Sequence, residues 1–340
     1  MATYVVDTAG VGGPHNADYA SVQAAVDALL PLAEDTTIEV YASGGAADGP
    51  INIPDMDNSN VLTIRDPQQR ATWDDTGYRV EAENGARFIY VSAGGFGETA
   101  RVIFENIQGH QLSQTGDNQD GVRINDLRTG FVEFHGCMLR GPGQNSHRQL
   151  FLYLRNDNQF DAIFRFTNTI IYDVPTQADI DSTIISGSTS DQNPSWSYFH
   201  NCTLIGGYHG MRNAGSTPER VHFRNCVYDF AGTASALTSA TVEDSILSPD
   251  ETSANTHWSN VQMNTTLTFE DAANGDFRLA ETDTEAIEQG ADLSTNADAP
   301  VTYDKIGVSR PQGAAFDIGA FERVLTEPDR FPRFRMGPRA

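Results

Sequence analysis

A short phrase of alternating apolar and polar residues, followed by a bend residue, recurs along this chain. Its clearest copies are 132–139, 197–204 and 220–228, which read VEFHGCML, SYFHNCTL and RVHFRNCVY. Looser copies lie at 62–66, 102–107, 164–171 and 241–247. Alternation places successive side chains on opposite faces of a strand. Each phrase therefore predicts a short strand with one buried face, a bend and a second strand.

The bend positions recur at intervals that suit a stack of coils. They fall 19 to 40 residues apart, at Asp66, Asn106, Gly136, Asn168, Asn201, Asn225 and Asp244. Short strands repeated at such a period are typical of a solenoid, in which each repeat contacts its neighbours. Asn suits the bend because it tolerates the left-handed backbone region. Stacking predicts that these amides hydrogen-bond to one another along the solenoid.

The phrase Phe-x-Asn-Cys-x-Leu resembles one found in the right-handed parallel β-helix superfamily, the pectate-lyase-like fold. There it would be the second strand of a coil, a two-residue turn and the start of the third strand. The resemblance covers about residues 3–322. It implies an all-β, right-handed parallel β-helix solenoid with an N-terminal capping helix and a β-rich C-terminal module. It implies little about function, because one fold hosts many chemistries.

Both ends of the chain carry patterns of their own. Residues 19–30 are amphipathic and end at Pro31, which predicts a helix that caps the open edge of the first coil. Residues 317–322 read DIGAFE, which resembles the C-terminal module of bacterial and archaeal surface β-helix proteins. The predicted division is 1–36 for an N-terminal strand and capping helix, 37–250 for the β-helix, 251–322 for the C-terminal module and 323–340 for a basic tail.

The net charge of the chain limits the kinds of molecule that it is expected to bind. The chain carries 46 acidic and 22 basic residues, a net charge of −24, and Lys305 is its only lysine. Bulk nucleic-acid binding is not expected, because it needs basic side chains on the phosphates. The composition resembles that of halophile proteins, and a GC-rich genome that favours arginine codons is the alternative. No apolar run reaches the roughly 18 residues of a spanning helix, so no membrane span is predicted.

The three cysteines, Cys137, Cys202 and Cys226, each follow a bend residue directly. This shared slot predicts an inward-facing stack of small side chains, and a metal-binding or nucleophilic role is the less favoured alternative. The oxidation state of Cys202 and Cys226 is left open. The N-terminus has neither the basic nor the apolar region of a secretory signal. For a fold that mostly works outside cells, this favours a virion protein released by lysis, or a removed leader.

Two enzyme interpretations follow from the resemblance. A polysaccharide lyase would need a basic residue and Ca²⁺ held by carboxylates, and a glycoside hydrolase would need two carboxylates at a set separation. No acidic cluster recurs at the coil spacing, and the best one, 117–121, also fits a solvated turn. No histidine pair has metal-ligand spacing. We therefore predict no catalytic residue, no metal site and no cofactor, with Ca²⁺ the ion that a lyase would add.

Counting 13 residues back from three of the bends reaches Arg123, Arg155 and Arg212. Apolar neighbours on both sides of Arg123 turn its side chain outward by alternation. We expect the three arginines on the first sheet of the coil, with Arg123 and Arg155 about 5 Å apart. In pectate-lyase-like proteins this face binds sugars, which implies an acidic-glycan site; the alternative is a row of arginines paired to nearby carboxylates. Other candidates for the site are His110, His147, His209 and Asp120.

The last residues reverse the charge of the chain. Residues 323–340 hold five arginines against two acids, a net charge of +3. Such a segment cannot extend a solenoid, and we expect it to anchor the protein to an acidic partner. The residues expected to make that contact are Arg330, Phe331, Arg333, Phe334 and Arg335.

Together these patterns predict a surface-exposed structural and adhesive protein. The preferred version is a virion spike, turret, fibre or decoration component of a tailed virus infecting a halophile, placed on the virion surface or otherwise outside cells. Its expected partners are an acidic host-surface polysaccharide and capsid or tail proteins. A homotrimer or another homo-oligomer is the assembly considered. The alternatives are a polysaccharide lyase or glycoside hydrolase, and a prokaryotic cell-surface β-helix protein.

Overall fold

A computed structural model describes residues 1–324 with gaps. The gaps are residues 13, 44, 46, 55, 57–58, 84–85, 93–98, 113–119, 126–129, 144–149, 156–161, 175, 177–182, 187–195, 213–219, 231–239, 249–256 and 264. The backbone alone is described at 150, 155, 183–186, 209–212 and 248. His147 and the predicted anchor residues Arg330, Phe331, Arg333, Phe334 and Arg335 lie outside the described residues.

Three long parallel sheets run along the molecule, and their strands are numbered in chain order. Sheet A consists of β1 Ala2–Asp7, β2 Thr36–Tyr41, β4 Val61–Arg65, β7 Arg101–Glu105, β10 Phe131–His135, β13 Ile163–Thr167, β16 Trp196–His200, β19 Val221–Arg224, β21 Thr241–Glu243 and β23 Trp258–Ser259. Sheet B consists of β5 Arg79–Ala82, β8 Gln108–Gln111, β11 Met138–Arg140, β14 Ile170–Val174, β17 Thr203–Gly206, β20 Val227–Asp229, β22 Ile246–Ser248 and β24 Gln262–Met263. Sheet C consists of β3 Ile51–Ile53, β6 Ile89–Ser92, β9 Val122–Asn125, β12 Leu150–Arg155, β15 Thr183–Ser186 and β18 His209–Arg212. The predicted all-β parallel β-helix solenoid is confirmed.

Inward-facing side chains of neighbouring coils stack in columns. The longest aromatic column occupies paired positions on five successive strands of sheet A: Phe104, Phe134, Phe166, Phe199 and Phe223. Neighbouring ring centroids lie 4.6–4.9 Å apart, and all five rings are buried. Stacked rings at this spacing fill the interior at high density and add attraction beyond their burial.

The predicted bends join the strands of sheet A to those of sheet B. A positive φ of 48–63° is found at Asn106, Gly136, Asn168, Asn201, Asn225 and Asp244. This is the left-handed conformation for which Asn and Gly are suited. Asp66 differs, because a longer connection to β5 begins there instead of a tight turn. One further bend, which the repeat did not identify, lies at Asn260 with a φ of 51°.

The residue after the bend points inward, as predicted for the cysteines. Cys137, Cys202 and Cys226 are free and fully buried. Each sulfur lies 3.1–3.3 Å from a backbone carbonyl oxygen of the phenylalanine column, one coil earlier. Burial raises the pKa of the Cys137 thiol to about 12, so this thiol stays protonated at neutral pH. The slot therefore holds small side chains that pack and donate weakly to the backbone.

A short helix, α1 Val22–Leu29, packs against the first strands. The hydroxyl of Ser21 caps it by accepting the Ala24 amide hydrogen bond at 3.1 Å. The helix begins later than the sequence pattern indicates, because the backbone of Tyr19 bonds to β1 instead. Within the described residues, no helix has the length and apolar character that a membrane crossing requires.

The C-terminal module folds back along the outside of sheet B. It begins with a hairpin, β25 Phe269–Asp271 and β26 Asp276–Leu279, and continues with mostly irregular backbone. Phe277, Ile318 and Phe321 pack on apolar side chains that sheet B turns outward. The sheet B residues in these contacts are Met138, Ile170, Tyr172, Val227 and Ile246. The module therefore covers an apolar strip that would otherwise face water.

The bend asparagines hold this module rather than one another. Three side-chain amides donate to backbone carbonyl oxygens of the module over 2.7–3.1 Å: Asn168 to Tyr303, Asn201 to Asp317 and Asn225 to Ala291. The expected ladder of amides is therefore wrong for these coils, because the irregular backbone of the module brings carbonyl oxygens to the same corner, where they accept from the amides. Asn260 does bond along the stack, donating to the Asp244 carboxylate at 2.7 Å.

The DIGAFE motif closes around a buried ion pair. The Arg310 guanidinium is fully buried and donates to the Glu322 carboxylate at 2.9 Å. It also donates to the backbone carbonyl oxygens of Asp317 and Gly319 at 3.0 and 2.9 Å. Gly319 has a φ of 103°, and a Cβ there would lie 3.0 Å from the side chain of Thr203. The motif thus fixes the end of the module against sheet B.

Candidate functional site

One column of register positions crosses the strands of sheet C. It runs through Asn52, Tyr90, Arg123, Tyr153, Ser186 and Arg212. The neighbours of Tyr90 and Arg123 along their strands are fully buried, so these two side chains project away from the core. Such a column places one side chain per coil at the coil spacing of about 4.8 Å.

The expected row of three arginines is out of register. Arg123 pairs with Tyr153, whereas Arg155 pairs with Asn125, two residues further along β9. The reason is a longer connection: Tyr153 precedes its bend by 15 residues and Arg123 precedes its own by 13, so counting 13 residues back from Asn168 stops two residues short of Tyr153. Arg212 does continue the Arg123 column, three strands away. The side chains of Arg155 and Arg212 lie outside the described residues.

Arginine and tyrosine side chains stack in this part of sheet C. The guanidinium carbon of Arg123 lies 4.7 Å from the ring centroid of Tyr153, and that of Arg87 lies 5.2 Å from Tyr90. A cation over an aromatic face is attracted by the ring quadrupole, which orders both partners. We name the surface formed by Arg87, Tyr90, Asp120, Arg123 and Tyr153 the tyrosine–arginine face.

Asp120 joins the two arginines of this face. One of its carboxylate oxygens accepts from Arg87 Nε at 2.9 Å and from Arg123 Nη1 at 3.3 Å. The carboxylate is only 1% exposed, and burial raises the pKa of Asp120 against the opposing effect of the two guanidinium groups. Among the five residues of the face, two guanidinium groups stand against one carboxylate, in a chain of net charge −24. These five residues thus carry a net positive charge of their own.

Sequence reasoning identified Arg123 and Asp120, which the structure brings together, but missed Arg87, Tyr90 and Tyr153. The alternation that turns Arg123 outward applies equally to Tyr90 between Ile89 and Val91, so its orientation was readable from the sequence. Its place beside Arg123 was not readable, because it depends on strand register across connections of unequal length.

His110 lies away from this face, on sheet B. Its ring centroid is 5.5 Å from that of Trp73, and Arg140 is its register partner on β11. Burial and then the charge of Arg140 lower the pKa of His110 to about 4, so the ring is neutral at physiological pH. For His209 the structure gives a strand position in sheet C and no side-chain surroundings.

A second polar cluster lies on the outward side of sheet A. The Glu133 carboxylate accepts two hydrogen bonds from Arg101 at 2.7 Å and one from Arg165 at 2.8 Å. His135 Nε2 lies 2.9 Å from the same carboxylate, and His135 Nδ1 is hydrogen-bonded to the Thr167 hydroxyl. Burial alone would raise the pKa of Glu133, but the bonds from His135 and Arg101 hold it at about 2.

The contacts from Glu133 through His135 to Thr167 follow the order of a catalytic triad, but their surroundings favour a structural role. Two guanidinium groups neutralise the carboxylate, which weakens its support of a histidine cation. Thr167 is only 5% exposed. His135 lines a cleft next to this cluster, but Thr167 does not reach that cleft. A nucleophile must reach its substrate, so this cluster is better explained as a clamp between coils.

Among the described residues, no group of three or more His, Cys, Asp or Glu side chains is arranged to hold a metal ion. Comparison with known proteins adds no assignment: no protein-family model, curated protein or solved structure matches the chain.

Proposed function

We propose that this protein is a surface-exposed adhesive β-helix that binds an acidic polysaccharide through its tyrosine–arginine face. The observation that carries the proposal is the paired stacking of Arg123 on Tyr153 and of Arg87 on Tyr90 along the outside of sheet C. The resemblance to pectate-lyase-like proteins supports it, because those proteins bind sugars on the corresponding sheet.

The face supplies the two kinds of contact that an acidic sugar needs. A planar guanidinium group can bond a carboxylate or sulfate through two parallel hydrogen bonds, which a lysine cannot match. A tyrosine ring offers apolar surface for a sugar ring and a hydroxyl for its polar edge. Repetition at about 4.8 Å per coil offers these groups at intervals suited to successive residues of an extended glycan.

We favour glycan binding without cleavage over an enzymatic activity. Among the described residues of this face, the carboxylate is that of Asp120. It is paired with two arginines and buried away from solvent. A hydrolase needs two carboxylates across the scissile bond, and a lyase needs a free base. A polysaccharide lyase or glycoside hydrolase stays the alternative, and release of unsaturated or reducing sugar would reveal it.

The preferred setting is a virion spike, turret, fibre or decoration component of a tailed virus infecting a halophile. The acidic, nearly lysine-free composition supports a high-salt environment, and the basic segment 323–340 supports anchoring to acidic capsid or tail proteins. A prokaryotic cell-surface β-helix protein, which the DIGAFE module resembles, is the alternative setting. Co-sedimentation with virus particles favours the first, and recovery in cell-envelope fractions favours the second.

The binding proposal is tested by immobilising the protein and presenting sulfated, uronate-containing and neutral polysaccharides of matched length. We expect retention of the sulfated or uronate polymers and little retention of the neutral ones. The same samples should be analysed for new reducing ends and unsaturated products after incubation. Equal retention of neutral and acidic polymers would contradict the proposal, and product release would favour the enzyme alternative.

A further inference from the structure

A polar cleft of about 290 Å³ opens where the C-terminal module crosses the bends of successive coils. One wall comes from the bend corners at 105–106, 135–136 and 168, and the other comes from module residues 300–305. Gln69, from the connection between β4 and β5, also lines it. The cleft lies at the corner between sheets A and B, so it is separate from the tyrosine–arginine face on sheet C.

Hydrogen bonds between the two walls fix the shape of the cleft. The Asn168 side-chain amide donates to the Tyr303 carbonyl oxygen at 2.7 Å. The Lys305 ammonium donates to the Gly136 carbonyl oxygen, and a bond within the module, from the Lys305 backbone amide to the Ala320 carbonyl oxygen at 3.0 Å, holds that residue in place. A cavity that is formed before binding loses little ordering entropy when a ligand enters.

Glu105 supplies the strongest acceptor of this cleft. Its register partners on sheet A are Arg65 and His135. The Arg65 guanidinium is paired with Glu39, and both ring nitrogens of His135 are engaged by Glu133 and Thr167. The Arg65 guanidinium interacts electrostatically with Glu105, but across the described part of the chain no hydrogen bond or ion-pair contact reaches the half-buried Glu105 carboxylate. Its oxygens can therefore accept hydrogen bonds from a ligand.

The other polar groups of the cleft complete a mixed set of donors and acceptors. Gln69, which carries a side-chain amide, and Tyr303, which is 58% exposed and carries a hydroxyl, also line it. A lining that combines a carboxylate, an amide and a hydroxyl suits the hydroxyl groups of a sugar ring, each of which both donates and accepts. The Glu105 carboxylate repels an anionic group, and the Lys305 ammonium of the same cleft is bonded to the Gly136 carbonyl oxygen, so an uncharged ligand is favoured. The volume of about 290 Å³ suits a small ligand.

We propose that this cleft is a second carbohydrate site, which takes one uncharged sugar residue with its hydroxyls on Glu105, Gln69 and Tyr303. The proposal does not rest on the tyrosine–arginine face, whose preference is for acidic polymers. The molecule would then hold an acidic chain along sheet C and a neutral sugar residue at the corner of sheets A and B.

The test is saturation-transfer NMR and titration of the whole protein with methyl glycosides of glucose, galactose, mannose and N-acetylglucosamine. We expect saturation transfer to at least one of them, with a millimolar dissociation constant. Glu105→Ala and Tyr303→Ala should each weaken that binding about tenfold, because each removes a hydrogen-bonding group from the bound sugar. Glu34→Ala removes an exposed carboxylate that does not line the cleft and is paired with the N-terminal amino group, so it should leave binding unchanged.

Absence of transfer to all of these sugars would overturn the proposal, and so would binding that survives both Glu105→Ala and Tyr303→Ala. Both side chains are partly exposed, so unchanged unfolding midpoints should verify that the variants fold. Retention of acidic polymers is measured separately, so failure at this cleft is distinguishable from failure at the tyrosine–arginine face.

Discussion

Replacing Glu133 by Gln should lower the free energy of unfolding by about 3 kcal/mol at neutral pH, and the loss should vanish in acid. Glu133 lies on sheet A with a side chain 1% exposed, and it receives hydrogen bonds from Arg101, Arg165 and His135. Gln keeps the shape of the side chain but removes the charge that these three partners share. The variant therefore isolates the ionic part of the clamp between coils.

The magnitude follows from the pKa of Glu133, which falls from an ordinary 4.5 to about 2. Each unit corresponds to about 1.4 kcal/mol, so the shift amounts to roughly 3 kcal/mol. A depressed carboxylate pKa means that the unfolded chain binds more protons than the folded one between these values. The stabilisation is complete above the unfolded pKa and is lost as pH falls through 4.5 towards 2.

The assay is urea unfolding of wild type and Glu133→Gln at a series of pH values from neutral down to about 2, at constant salt. The many other carboxylates contribute to both curves, so the difference between them reports Glu133. We expect a difference of about 3 kcal/mol at neutral pH that shrinks across the acidic window. A difference that is constant across this range, or absent at neutral pH, would refute the ionic account of the cluster.

Three further outcomes are expected. Phe199→Ala should cost about 3–5 kcal/mol in urea unfolding, because the ring lies buried between Phe166 at 4.6 Å and Phe223 at 4.8 Å; a loss below 1 kcal/mol would contradict the stacked core. The three buried thiols should react slowly with a thiol reagent in the native state, and fast labelling of all of them would contradict their inward slot. Deleting 324–340 should leave the unfolding midpoint unchanged and abolish incorporation into particles, whereas normal incorporation would remove the case for a basic anchor.

The repeat phrase predicted the fold because strand alternation and the bend both depend on residues that are close together in the sequence. A left-handed bend after an alternating strand favours Asn, Gly or Asp, so positions such as Asn106 and Gly136 identify the corner from sequence alone. Inward slots such as that of Cys202 follow from the same alternation. The strands of sheet C lie between connections of unequal length, so the bend spacing does not fix their register. This is why Arg155 was placed beside Arg123.

The hydrogen-bond partners of the bend amides depend on tertiary structure and could not be predicted from the repeat. Asn201 was expected to bond to another amide in the stack, but its partner, Asp317, lies 116 residues away in the C-terminal module. The same holds for Lys305, which bonds to Gly136 across 169 residues. The sequence predicted that a separate module follows the solenoid, but the corner on which it docks depends on packing against apolar side chains of sheet B.

The central claim is that the tyrosine–arginine face binds an acidic glycan, and one titration tests it most directly. Binding of the best-retained acidic polysaccharide should be measured for wild type, Arg123→Gln, Tyr153→Ala and the control Arg140→Gln. The control removes an arginine that lies 5.7 Å from the ring centroid of Tyr172 and is paired with Asp173 on sheet B. It therefore matches the change in charge and stacking outside the face.

Loss of a charge-assisted hydrogen bond corresponds to about a tenfold to hundredfold weakening. We expect that weakening for Arg123→Gln, a smaller one for Tyr153→Ala, and no change for Arg140→Gln. Unfolding midpoints of the variants should stay close to that of wild type, because Arg87 still pairs with Asp120. Equal weakening by Arg123→Gln and Arg140→Gln would show that net charge alone drives binding and would contradict a specific face on sheet C.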